Sequence, residues 1–228
     1  MSTRTDKKPY LCRRNDILSK RAMRKTILII GLLFWLLDMQ AQEAFQAVAL
    51  PDSVFMRMQG KSYPKGCVID RHDLRYLTLL HYDGNGRVQH GELVCHKAIA
   101  QDLLDIFRQL YQARYPIERM RLIDDYDADD EQSMRANNTS CFCYRVVSGS
   151  KKLSKHAQGM AIDINPLYNP YKKGQRVQPG NAAPYCDRTR QFPYKIVEGD
   201  LCHRLFRQHG FQWGGQWRSL KDYQHFER

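Results

Sequence analysis

The residues able to do chemistry in this chain are concentrated in two short segments. The segment "SKHAQGMAID" runs from Ser154 to Asp163 and sets His156 seven residues before Asp163. The segment "DYQHFE" runs from Asp222 to Glu227, with His225 between the two carboxylates. Two neutral imidazoles and one carboxylate make a three-ligand set for zinc and leave a fourth position for water. Zinc lowers the pKa of such a water from ~15.7 to about 7, and a nearby carboxylate can take its proton and hand it to a leaving amine. The competing reading is a loop-and-strand piece of core with an incidental histidine, and spacing alone does not choose between them. The helical metalloprotease pattern H-E-x-x-H is absent. His72, His81, His90, His96, His203 and His209 sit in no comparable setting and read as surface or satisfied core residues.

Aiming these groups at one point needs a turn, two strands and a scaffold. Gly159 permits a tight backbone turn, and Ala161 to Ile164 reads as a strand entered from it. Alternation sends Ile162 and Ile164 to a core and Asp163 to the opposite face, and it puts Glu227 on the same face as His225. Upstream, "DLRYLTLLH" and "RVQHGELVC" flank "DGNG" and predict a β-hairpin. The spacing of Ile99, Leu103, Ile106, Phe107, Leu110 and Tyr111 predicts a helix that Pro116 closes. "IERMRLI" reads as a buried strand and "FCYRVV" as another, with an acidic surface loop between them holding at most a helical turn. A Pro- and Gly-bearing excursion covers residues 165–194, and "EGDLCHRLFRQHG" reads as an amphipathic helix stopped at Gly210. The sum is one α+β domain over residues 66–228, a small antiparallel sheet flanked by helices, with an arm or short helix over residues 42–65 in front.

The formal charge of +12 overstates the basic character of that domain. Nine basic and three acidic residues precede Gln42, which leaves 27 against 21 and a net +6. That suits an acidic partner without naming one, and no nucleic-acid reader motif is present. "MRKTILIIGLLFWLLDMQAQ" supplies a positive start at Met23, an apolar run from Ile27 to Leu37 and a cleavage site after Ala41. The run is short for a membrane span, so residues 1–41 read as an N-terminal extension plus signal peptide, with an uncleaved anchor as the rival reading. Export to the periplasm or outside the cell follows, with no stable membrane span in the mature chain. After Cys12, six cysteines remain: Cys67, Cys95, Cys141, Cys143, Cys186 and Cys202. The even number suits an oxidising compartment, and the lack of a C-x-x-C pair argues against a cysteine zinc cluster.

"SKHAQGMAIDIN" resembles the S-x-H-x-x-G-x-A-x-D signature of the D-alanyl-D-alanine carboxypeptidase family of zinc peptidases. "GFQWGGQWRSLKDYQHFE" resembles that family's second block, so the likeness runs over residues 139–227. The family also holds VanY-type enzymes, phage L-alanyl-D-glutamate endopeptidases and vancomycin-resistance dipeptidases. The resemblance implies a hedgehog or DD-peptidase type of fold with one zinc per chain on the sheet, held by His156, Asp163 and His225. It makes Asp222 the catalytic acid or base, with Glu227 the second candidate. It places Arg145 near the scissile carbonyl or a substrate carboxylate, where a fixed guanidinium stabilises oxyanion charge. Ser154 either bonds substrate or caps the turn. Trp217 and Tyr223 are candidates to line the peptide groove, whereas Trp213 reads as packing. The implied activity is hydrolysis of peptidoglycan stem peptides by a monomer, as carboxypeptidase or endopeptidase. The alternative is a non-catalytic wall- or ligand-binding protein of the same fold.

Overall fold

The computed structural model describes residues 44–147 and 151–228, and Met23. The expected leader therefore lies outside the described residues apart from Met23. Among the described residues no helix is long and apolar enough to cross a membrane. Residues 44–228 form a mixed α/β unit built from short elements. In chain order these are β1 (Gln46–Ala49), α1 (Asp52–Met58), β2 (Leu74–Tyr82), β3 (Val88–His96), α2 (Lys97–Gln112) and β4 (Arg119–Met120). Next come α3 (Asp130–Arg135), β5 (Asn138–Thr139), β6 (Ala161–Asp163), β7 (Tyr171–Lys173) and β8 (Arg176–Gln178). The chain ends with α4 (Leu201–Gln208), β9 (Gln212–Trp213), β10 (Lys221–Asp222) and β11 (His225–Glu227). Three antiparallel sheets result, ordered β1-β2-β3, β6-β11-β9 and β10-β7-β8, beside a parallel β4–β5 pair.

The hairpin β2–β3 forms with its turn at "DGNG", and the Asp83 carboxylate accepts the amides of Asn85 and Arg87 to hold that turn. His96 ends β3 and caps α2, its Nδ1 accepting from the Ala98 amide at 3.1 Å. Ile99, Leu103, Ile106, Phe107 and Leu110 make the buried stripe of α2, and all are essentially inaccessible. They join Leu77, Leu79 and Leu93 of the hairpin to Ile162 and Ile164 in one core. Phe226 of β11 enters the same core and stacks on Phe206 of α4 with ring centroids 4.3 Å apart. The strand that must present His225 is thereby fixed by its fully buried neighbour. At its far end Arg228 reaches Asp102 Oδ2 of α2 at 2.7 Å, and His209 Nδ1 lies 2.9 Å from the other oxygen of that carboxylate.

Several elements differ from expectation for one reason: the backbone hydrogen bonds go elsewhere. "FCYRVV" is not a strand. The amides of Phe142, Cys143 and Tyr144 donate to Val94, His156 and Ser62 respectively, and further along the segment makes an isolated antiparallel bridge from Val146 to Leu153 in place of a regular strand. "IERMRLI" is strand only at β4, after which Ile123–Tyr126 winds into a 3₁₀ turn. The acidic stretch is more than a surface loop, since Asp124, Ser133, Asn137, Asn138 and Thr139 are buried. The segment before residue 66 holds β1 and α1, whose Leu50, Val54 and Met58 pack with Leu74, Leu122 and Phe142. The six cysteines from Cys67 onward are all free thiols.

Gly159 has φ of +66°, and a Cβ there would lie 2.6 Å from the His96 amide nitrogen. That amide donates to the Gly159 carbonyl at 2.9 Å, so the turn is clamped to the end of β3. Gly174 also has positive φ, but no atom lies within 4 Å of its missing Cβ. Gly159→Ala is expected to cost well over 2 kcal/mol in urea unfolding, and Gly174→Ala about 1 kcal/mol. Equal losses would mean that the close approach to β3 is not what requires glycine.

Candidate metal centre

Strand pairing makes the first half of the site. Within β6 and β11, Asp163 and His225 are direct cross-strand partners, and their side chains share the face opposite Ile162 and Phe226. His156 arrives from the turn before β6, where its carbonyl accepts the amides of Gly159 and Cys143. Asp163 Oδ1 lies 3.1 Å from His225 Nδ1 and 3.3 Å from His156 Nε2, and those two nitrogens are 3.1 Å apart. All three residues are buried.

The outer nitrogens fix what the inner ones present. His156 Nδ1 donates to the Cys141 carbonyl at 2.7 Å, because a carbonyl can only accept. His225 Nε2 bonds the Glu227 carboxylate at 3.0 Å. The inner nitrogens therefore turn lone pairs toward each other and toward a carboxylate oxygen. Three converging lone pairs need a positive charge among them. Ligands at about 2.0–2.1 Å around a tetrahedral zinc lie roughly 3.3 Å apart, so the observed triangle fits that ion. The donor types fit as well, with two imidazoles, one carboxylate and partners that orient both rings.

The electrostatics report the same demand. Burial opposes charge on His225, yet its bonds to Asp163 and Glu227 raise the imidazole to about 10. Burial likewise opposes ionisation of Asp163, but the two imidazoles hold its carboxyl far below the usual range. The His225 bond also keeps Glu227 low. Asp222 behaves differently, because burial raises it to about 6 and its Oδ1 has no hydrogen-bond partner among the described residues. The paired glycines of "WGGQW" make its place. A Cβ on Gly214 would lie 2.6 Å from the Asp222 carbonyl oxygen and 2.8 Å from its Cβ. One on Gly215 would enter the Trp213 ring.

The site opens on a cleft of about 810 Å³ lined by the three ligand candidates, Asp222, Glu227, Arg145, Ser154 and Trp217 among others. Trp217 lies with its ring centroid 5.3 Å from that of His225. Ser154 Oγ accepts the Ala157 amide at 3.0 Å, which is the capping role. Arg145 is half-buried and paired with Asp130, the second residue of the pair being one that the acidic run gave no reason to single out. Tyr223 departs from expectation. It lies between Asp222 and Gln224, which both line the cleft, so alternation turns it away to pack beside Trp213 and under Arg188. Trp213 is packing, as expected, and its Nε1 donates to the Tyr223 carbonyl at 2.9 Å.

The loop "NPLYNPY" also acquires a physical role. Asn165 bonds the Glu118 amide and the Pro116 carbonyl, and Asn169 gathers Ile164, Tyr194, Ile196 and Arg188. Both asparagines are fully buried, so they replace a regular ladder as the satisfier of backbone groups behind β6.

Zinc uptake must displace the proton that His225 Nδ1 otherwise holds, so affinity is expected to rise with pH from neutral toward 10. Titration calorimetry in buffers of different ionisation enthalpy should show about one proton released per zinc near neutral pH. Glu227→Gln should weaken zinc binding roughly 10- to 100-fold by loosening the His225 ring. Binding without proton release, or unaffected by that substitution, would contradict the tautomer assignment.

Residues 148–228 match the family model described as D-alanyl-D-alanine carboxypeptidase. No curated protein and no solved structure matches the chain. The matched stretch contains His156, Asp163, Asp222 and His225, so over its C-terminal third the chain is similar to that family.

Proposed function

We propose that this protein is an exported, zinc-dependent peptidase that hydrolyses a peptide bond in peptidoglycan stem peptides. The observation that supports this most is the convergence of three lone pairs in one cleft with Asp222, whose buried Oδ1 has no hydrogen-bond partner among the described residues. His156, Asp163 and His225 would hold one zinc per chain. Bound there, zinc would supply Lewis acidity and would lower the pKa of a water. Asp222 takes a proton from water as the water oxygen adds to the carbonyl carbon and returns it to the amine nitrogen as the C–N bond breaks. The new acid's remaining proton passes to the amine, leaving a carboxylate and an ammonium. Burial lifts the Asp222 carboxyl above the usual carboxylate range, toward the neutral pH at which both halves of that transfer must run. Glu227 holds the His225 ring and is the weaker candidate for proton transfer, since its carboxylate is committed to Nε2. Arg145, held by Asp130, turns its charge to the cleft and stabilises the oxyanion. Trp217 walls the groove beside His225 and Ser154 secures the turn. The leader before Gln42 is the basis for export.

Digestion of purified peptidoglycan by the mature chain, with and without zinc, tests the reading. Release of D-alanine indicates a carboxypeptidase, and larger stem fragments an endopeptidase. Asp222→Asn should keep stoichiometric zinc and lose about 10²- to 10⁴-fold in kcat. Gly214→Ala should share that signature more weakly, because it displaces Asp222 and leaves the ligands in place. Zinc-loaded protein that binds the wall and releases nothing would favour the non-catalytic alternative.

A further inference from the structure

A second cavity, of about 480 Å³, lies apart from the zinc cleft and has polar groups of its own. The two share no lining residue, although α3 borders both: Asp130 and Met134 line the cleft, and Arg135 lines the cavity. Asp130 and Arg135 are about 8 Å apart along the axis at helical rise. The cavity wall includes Glu118, Arg119, Arg135, Asn137, Tyr168 and Tyr194. Asn137 is buried, and its Oδ1 accepts the Leu167 amide at 3.0 Å. That bond fixes which way the side-chain amide points, because its nitrogen could not accept it. Nδ2 is left as a buried donor with no partner among the described residues. An unpaired buried N–H is costly, and the cavity is where an acceptor can come from.

The other wall groups say what kind of acceptor fits. Arg119 is anchored on the Ala136 carbonyl at 2.6 Å and Arg135 on Glu131 at 2.8 Å, and each guanidinium carries further N–H groups. Glu118 accepts the Tyr194 hydroxyl instead of pairing with either arginine. A simple anion would match the arginines but be repelled by Glu118. Hydroxyl groups donate and accept at once, so a polyhydroxyl ligand matches both, and an acetamido carbonyl suits the Asn137 donor. Tyr168 and Tyr194, with ring centroids 4.9 Å apart, add apolar surface for the C–H face of a sugar ring. We infer that this cavity is a second binding site, for an acetamido-sugar unit of a polysaccharide. Naming that polysaccharide as the glycan strand that carries stem peptides rests on the peptidase reading. The cavity then holds the strand while the attached peptide reaches the zinc cleft.

Calorimetric titration of the zinc-loaded protein with a tetramer of N-acetylglucosamine tests the site. Wild type should bind the tetramer, and Asp222→Asn should bind it equally well, because cavity and cleft share no residue. Asn137→Asp keeps an acceptor for Leu167 and suits the positive φ of that position, but it removes the donor. Glu118→Gln keeps an acceptor for Tyr194 and removes the charge. Each substitution should weaken the tetramer roughly tenfold. If Asn137→Asp fails to fold, Glu118→Gln decides. No binding by wild type, or binding that the substitutions leave unchanged, overturns the site. For cleavage, glycan-linked stem peptides should show a KM roughly tenfold below that of free ones, an advantage that Glu118→Gln loses at unchanged kcat. Equal KM values in wild type would overturn the glycan-strand assignment and leave the peptidase reading standing. Tetramer binding as expected with no peptide cleaved would uphold the site and end the peptidase reading.

Discussion

Three lone pairs meeting within about a hydrogen-bond length is a costly arrangement, and the surrounding structure is organised to enforce it. Neither imidazole can relieve the convergence by turning, because each is tied at its outer nitrogen, His156 to the Cys141 carbonyl and His225 to Glu227. The β6–β11 register sets Asp163 directly opposite His225. A proton can satisfy the cluster in part, and a divalent ion satisfies it better. Metal affinity here is therefore a property of preorganisation as much as of ligand identity.

The preorganisation has three sources in the chain. Phe226, between His225 and Glu227, is buried in the main core and fixes β11 in rotation. Gly159 lets the His156 turn press its backbone against the end of β3. Gly214 and Gly215 allow Asp222 and Trp213 to approach more closely than any side chain would permit. The two buried asparagines of the following loop hold the rear of β6 without a continuous sheet. Short strands suffice because side chains and turns take up the remaining backbone groups.

Part of this was legible in the sequence. The hairpin β2–β3, the helix α2 and the strand β6 announce themselves through turn residues and apolar periodicity, which depend only on local neighbours. The family signature identified the ligand candidates and Asp222, and alternation alone linked Glu227 to His225. Less legible were features set by distant partners. "FCYRVV" has the composition of a strand, yet its amides find three separate acceptors. Tyr223 looked like a groove aromatic until the faces of its neighbours were known. Asp130 sits in an acidic run where nothing local marks it as the partner of Arg145. The need for glycine at 214 has the same origin, since its contact is with Asp222 across a turn.

The central claim is the identity of the metal centre, and X-ray absorption at the zinc edge of the zinc-loaded protein tests it most directly. The account predicts one zinc per chain, with nitrogen and oxygen neighbours at about 2.0–2.1 Å, two of them imidazole, and no sulfur. Sulfur scattering at about 2.3 Å would move the metal to the cysteines and contradict the site described for His156, Asp163 and His225.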